Sequence, residues 1–166
     1  MSKLEQKLSN YAAYHRDTRN VLSHLLGIPL IVFAVEVLLS RPVLGVAVTP
    51  AVLGSVAAAL YYFTLDIGFA VFLAVVMGLA AWAGMFIASM PTAIWLAIGI
   101  GSFVVGWVLQ FIGHGFEGRK PAFFDDVMSL LIGPLFITAE LAFQLGLRLE
   151  LQAAIARRLA IPPIME

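Results

Sequence analysis

The chain contains no cysteine. That absence excludes disulfides, thiolate nucleophiles and cysteine-ligated iron–sulfur clusters, so any metal must be held by nitrogen and oxygen. Charge is scarce as well. Only 12% of the residues are Asp, Glu, Lys or Arg, about half of what soluble domains carry, roughly 25%. Ten basic residues balance ten acidic ones, so no net field draws the chain to nucleic acid. No Walker loop, dinucleotide fingerprint or G-x-S-x-G elbow is present. Ser23 stands next to His24, but adjacent residues do not face each other on a helix. Serine hydrolysis therefore has no support.

What the chain has in quantity is apolar length. Hydrophobic residues make up 61% of its 166 residues, and the mean hydropathy is +0.98. The expectation is an all-α, polytopic membrane helix bundle, a single integral membrane domain over residues 1–166. Four transmembrane helices are expected at about 21–39, 43–65, 67–89 and 92–112, separated by Arg41-Pro42, Asp66 and Met90-Pro91. Pro29 falls inside the first and predicts a kink. The leader is polar, so no cleavable signal is expected. In it Leu4, Leu8, Tyr11, Ala12 and His15 recur at helical spacing, which predicts an N-terminal helix lying in the membrane interface. Gly99, Gly101, Gly106, Gly78 and Gly84 are expected to let helices approach closely in lipid.

The last apolar segment, 127–143, carries Pro134 and Glu140. A carboxylate at the bilayer centre costs about 2.5 kcal/mol or more, so this segment is expected to be a C-terminal re-entrant or fifth helix. Basic residues favour the re-entrant form. Lys3, Lys7, Arg16, Arg19, Arg119, Lys120, Arg148, Arg157 and Arg158 then share the cytoplasmic side. Four crossings return the chain to the face from which it started. The only three histidines, His15, His24 and His114, are co-facial under either topology.

The stretch from Trp107 to Pro121 reads W-V-L-Q-F-I-G-H-G-F-E-G-R-K-P. It begins as an apolar helix and turns polar around Gly113-His114-Gly115. On one straight helix Asn20 and His24 share a face, while His15 points to the opposite side. The chain must bend between His15 and His24 for both to reach one metal. Neutral imidazole is the commonest metal ligand, and its second nitrogen needs an orienting acceptor. We therefore expect His15, His24 and His114 to bind a metal near the cytoplasmic face. Asn20, Glu117 and Glu140 would serve as orienting groups or a further carboxylate ligand. On ligand type alone iron(II) and zinc fit equally well. Glu36, inside the first span, is open between helix packing and a role in the site.

Three runs carry a resemblance. They are Y-x3-H-x4-N-x3-H-x4-P (Tyr11, His15, Asn20, His24, Pro29), Q-F-I-G-H-G-F-E-G-R-K-P-A (Gln110 to Ala122) and G-P-L-F-x3-E (Gly133 to Phe136, Glu140). Together they make the chain similar to a family of small membrane proteins that was long labelled only as a domain of unknown function. The family includes the yeast endoplasmic-reticulum enzyme of phytosphingosine metabolism to odd-numbered fatty acids. The resemblance covers nearly the whole chain. It implies an iron(II)-dependent dioxygenase, with molecular oxygen as co-substrate, that shortens long-chain 2-hydroxy fatty acids by one carbon. The substrate's carboxylate and 2-hydroxyl would form a two-armed chelate. Arg119, Lys120 or Arg16 would receive the carboxylate, and the apolar helices would receive the chain. The membrane would be the endoplasmic reticulum or a bacterial inner membrane.

Two other readings stand beside this one. A non-catalytic scaffold or small transporter would use the histidines only to tune the interface. A transporter places polar groups along the middle of several spans, whereas the second to fourth spans here are almost purely apolar. A zinc-dependent lipid hydrolase would use the same three nitrogens. Oligomeric state is not legible.

Overall fold

Polar residues between the apolar runs start most of the helices. In the computed structural model, which describes residues 2–42 and 48–160, helix α1 (Lys3–Ala12) opens with a capping box. Ser2 Oγ accepts the Glu5 amide, and the Glu5 carboxylate accepts the Ser2 amide. Asp17 caps α2 (Thr18–Leu39) by accepting the Arg19 amide. Thr49 and Pro50 open α3 (Pro50–Phe63). Asp66 turns the chain and caps α4 (Ile67–Ala88) through the Phe69 amide. Helix α5 (Thr92–Glu117) ends at Gly118, whose φ of +67° is the left-handed cap that glycine supplies without strain. A 3-10 turn (Ala122–Phe124), α6 (Ser129–Gln144) and α7 (Leu149–Ala160) follow. No strand occurs among the described residues.

Helices α2, α4 and α5 are each long and apolar enough to cross a membrane, with 22, 22 and 26 residues. At 1.5 Å per residue they reach about 33–39 Å, against a hydrocarbon core of about 30 Å. Helix α3 has 14 residues, roughly 21 Å. The expected second span began earlier, and its residues 43–47 lie outside the described residues. Helix α2 runs through Pro29 without interruption.

Two expected boundaries are corrected. The fourth span does not stop at Ile112, because α5 continues in helical form through Gly113, His114 and Gly115 to Glu117. The leader is not one helix. It breaks after Ala12 and restarts at Thr18, which supplies the bend required between His15 and His24.

The four helices α2 to α5 alternate in direction. The start of α2 therefore meets the end of α5, where Gly113 faces Asn20 and Ser23. Helix α6 lies across this same end. The Leu131 carbonyl accepts from Tyr62 at the end of α3, Gly133 abuts Ile28 and Tyr11, and Phe136 lies beside His15. Helices α6 and α7 meet at a bend of 114°. The apolar face of α1, with Leu4, Leu8, Tyr11 and Ala12 buried, packs on α6 and α7. The C-terminal helices thus cover the face that the sequence would have assigned to lipid.

Glycine sets the spacing of α2 and α5. A Cβ at Gly27 would stand 2.9 Å from the Gly106 carbonyl, and one at Gly106 would stand 2.9 Å from the Gly27 carbonyl. Gly99 lies against Leu38, and Gly84 against Glu36 and Ser40. These are the close approaches that small residues permit in membranes. Gly101 and Gly78 face open space, so the expected packing role does not hold for them.

The alternation of α2 to α5 yields a labelling prediction, made simple by the lack of native cysteine. Cysteines at Gln6 and Arg119, both exposed, are expected to react with an impermeant thiol reagent from one side of the membrane. A cysteine at Ser89, at the other end of α4, is expected to react from the opposite side. Labelling of Gln6 and Arg119 from opposite sides would contradict the alternation.

Candidate metal centre

His15 sits in the break between α1 and α2, His24 near the start of α2, and His114 in the last turn of α5. All three are buried, with 5%, 1% and 6% exposure, so nothing beyond the protein orients their rings. Ring centroids are 4.4 Å apart for His15–His24, 5.0 Å for His15–His114 and 4.9 Å for His24–His114. One ligand nitrogen from each lies within 4.8 Å of the others. Tyr11 stacks on His15 at 4.2 Å and 6°, holding the loop imidazole in place from its other side.

The hydrogen bonds decide which nitrogens are free. His15 Nδ1 is 2.8 Å from the Tyr11 carbonyl oxygen, and His24 Nδ1 is 2.9 Å from the Asn20 carbonyl oxygen. A carbonyl only accepts, so each Nδ1 carries the proton and each Nε2 presents a lone pair. The two Nε2 atoms face each other at 3.0 Å. Two lone pairs at that separation repel unless a cation lies between or beside them. Nδ1–H donating to a carbonyl while Nε2 points inward is the arrangement that metal-bound histidines adopt. Nδ1 of His114 is buried and has no hydrogen-bond partner. Burial pushes the His15 pKa down to about 4, the Tyr11 carbonyl opposing only in part and His114 lowering it further. Its imidazole is therefore the neutral form that ligates. The donor set fits a metal ion.

Close helix contact holds the cluster together. A Cβ on Gly113 would lie 2.0 Å from Ser23 Oγ and 2.5 Å from Asn20 Oδ1. Only glycine lets α5 bring His114 this close to α2. Ser23 Oγ donates to the Asn20 carbonyl at 2.7 Å, so it braces the turn that carries His24.

Glu117 touches the supports of the histidines. Its carboxylate accepts the amides of Arg16 (3.0 Å) and Asp17 (2.8 Å) and the side-chain amide of Asn20 (3.1 Å). It ties the end of α5 to the loop that carries His15, where the start of α2 favours an anion. Asn20 is fully buried and links the two supports. Its carbonyl holds His24 and its side chain donates to Glu117. Neither Glu117 nor Glu140 belongs to the group of converging ligand atoms. Glu140 lines a second cavity with His15 and Arg16, between α1, α6 and α7. Of the three expected carboxylate receivers, Lys120 pairs with Asp125 at 2.5 Å, and Arg119 donates to the Ala13 carbonyl at 3.3 Å. Arg16 is exposed at the cavity beside His15.

From the histidines an apolar channel of about 460 Å³ runs between α2, α3 and α5. His24 and His114 line one end, and Leu39 and Ala51 line the other. The fifteen residues from His24 to Leu39 correspond to about 22 Å along α2. Gln110 and Trp107 line the channel near the histidines, and Gln110 Nε2 and Trp107 Nε1 are both buried without partners. Tyr11 and Gln110 stand in the sequence motifs without a site role of their own there. A signal was available: each lies one turn before a histidine, and a lone amide in an apolar span is costly unless it is used.

Comparison with known proteins agrees with this geometry. Residues 1–145 match the family described as "2-hydroxy-palmitic acid dioxygenase Mpo1-like". The chain is 31% identical over 160 residues to the 2-hydroxy-palmitic acid dioxygenase MPO1 of Saccharomyces cerevisiae, with 95% of this chain and 90% of the yeast protein covered. No solved structure matches. A match that takes in all three histidines, α2, α5 and most of the channel wall leaves one conclusion: the chain belongs to the Mpo1-like family.

Proposed function

We propose that the protein is an iron(II)-dependent dioxygenase that shortens long-chain 2-hydroxy fatty acids by one carbon. The observation that carries this reading is the convergence of three buried histidines, two of them oriented by backbone carbonyls, beside the head of an apolar channel that His24 and His114 line. Kinship with an enzyme named for 2-hydroxy-palmitic acid supports it. The overall reaction balances as 2-hydroxy acid plus dioxygen giving the shortened acid, carbon dioxide and water. The C1–C2 bond breaks, C2 passes from alcohol to carboxyl, and dioxygen is reduced. Iron(II), when bound, supplies the redox chemistry that lets dioxygen react, which zinc cannot supply.

The chain's own residues perform the rest. His15, His24 and His114 offer three nitrogens and leave room for a two-armed ligand. The Tyr11 and Asn20 carbonyls fix the first two rings before substrate arrives. The acyl chain lies in the channel, where apolar walls exclude water from C1 and C2. Gln110 faces the substrate's polar head from within the channel, and Arg16 attracts its carboxylate from the interface. The site opens toward the cytoplasmic face of an endoplasmic-reticulum or bacterial inner membrane.

Three histidines without a carboxylate are also a zinc set, which keeps a zinc lipid hydrolase as the second reading. One experiment separates the two. Purified protein loaded with iron(II), given oxygen and a long-chain 2-hydroxy acid but no 2-oxoglutarate, is expected to release the acid one carbon shorter. The same chain without its 2-hydroxyl is expected not to react, having lost one arm of the chelate. Turnover by zinc-loaded protein, or no oxygen uptake by iron-loaded protein, would overturn the dioxygenase reading.

A further inference from the structure

Glu36 is a carboxyl inside a membrane-crossing helix that the proposed reaction does not use. It is 4% exposed and lines the far part of the channel, together with Val35, Leu39, Ala51 and Gly54. Ser55 Oγ donates to its Oε1 at 2.7 Å, and its Oε2 is buried with no partner. None of the salt bridges among the described residues reaches it. A carboxyl at this depth is expensive and is found where function places it.

From these observations we infer that Glu36, held by Ser55, is a polar stop in the wall of the acyl channel, one turn before its Leu39–Ala51 end, and sets the chain length the protein accepts. The inference rests on the reading of the channel as an acyl site.

Position supports it first. Glu36 lies twelve residues beyond His24 on α2, about 18 Å along the helix. Half of a bilayer core, the depth of one lipid tail, is about 15 Å. A chain with its head at the histidines brings its methyl end to the level of Glu36.

Chemistry supports it second. A methyl group cannot hydrogen-bond to Oε2, so a chain end that reaches this level meets a polar atom instead of an apolar wall. The wall opposite is open. Ala51, Gly54 and Ala58 of α3 line the channel, and a Cβ at Gly54 would meet nothing within 4 Å. Along α2 the lining is apolar from Ile28 to Val35 and turns polar at Glu36.

The test uses full-length protein and two readouts. One is the ratio of kcat/KM values across 2-hydroxy acids of graded length. The other is competition by plain saturated fatty acids of graded length against a fluorescent fatty acid, which needs no chemistry. Glu36→Ala with Ser55→Ala is expected to shift preference toward longer chains. Gly54→Leu, which fills the bore at the level of Glu36, is expected to shift it toward shorter chains. Each shift should be about tenfold or more in the ratio, since a methylene in an apolar pocket is worth about that much. Glu36→Gln keeps a polar stop and is expected to retain the wild-type profile. It also shows whether loss of the acid alone disturbs folding.

Length profiles that coincide in all variants would overturn the inference. So would a shift in Gly54→Leu with none in the double variant, since the channel would then end elsewhere. If wild-type protein turns over no 2-hydroxy acid, the proposed function fails, and the competition series still decides where the channel ends.

Discussion

Replacing His24 by alanine is expected to reduce activity by more than a hundredfold and to leave the purified protein without its metal. His24 is 1% exposed, its Nδ1 is committed to the Asn20 carbonyl, and its Nε2 faces that of His15 at 3.0 Å. The Glu117 carboxylate is not free to substitute for it, because it already accepts two backbone amides and the Asn20 amide. Loss of a group that merely supports a ligand costs about 10–100-fold in metal affinity or activity, so loss of the ligand itself costs more. His15→Ala and His114→Ala are expected to behave alike. Truncating a buried side chain also destabilises, by roughly 2–5 kcal/mol for large-to-alanine changes, so metal per chain must be measured on protein that still elutes as a folded species in detergent. Full metal content and turnover in all three variants would refute a shared site.

The second large effect is expected at a residue that offers no ligand atom. Gly113→Ala adds a single methyl at a point where Ser23 Oγ would be 2.0 Å away and Asn20 Oδ1 2.5 Å. Neither atom gives way freely. Ser23 Oγ is bonded to the Asn20 carbonyl, the same carbonyl that orients His24. Helices α2 and α5 must separate, and overpacking of this kind costs about 1–3 kcal/mol. The separation falls between His24 and His114, so metal affinity should drop with stability. Gly101→Ala is the control. Its Cβ meets nothing within 4 Å, and alanine is better than glycine in a helix by about 1 kcal/mol. Thermal unfolding in detergent and metal per chain should fall for Gly113→Ala and hold or rise for Gly101→Ala. Equal behaviour of the two would show that the α2–α5 approach does not set the histidine spacing.

The contrast between those two glycines also marks how far the sequence could be read. Apolar runs and the breaks at Asp66 and Met90-Pro91 were enough to place α4 and α5, since each helix must span lipid with its own hydrogen bonds. The helical phase of His15 and His24 demanded a bend, and the chain bends between Ala12 and Thr18. The parity of the crossings brought three distant histidines to one face, and they converge there.

Helix ends that depend on a partner were not legible. Gly113-His114-Gly115 reads as a break in isolation, yet α2 packs against it and the helix continues to Gly118. Glu117, expected as an orienting group or a further ligand, is placed by amides about one hundred residues away, which its neighbourhood in the chain does not record. Glu140 likewise faces a cavity on the outer side of His15. The channel was invisible because its lining comes from six α-helices and the 3-10 turn, and no local pattern records which small residues leave a bore open.

The central claim is that His15, His24 and His114 together hold one metal ion that is redox-active in the native protein. X-ray absorption at the metal edge, on protein purified without chelator or affinity metal, tests it most directly. The expected result is one iron per chain, with the multiple-scattering signature of three imidazoles that loses one imidazole or the metal itself in His24→Ala. Protein that carries no stoichiometric metal, or a metal edge without imidazole scattering, would contradict it.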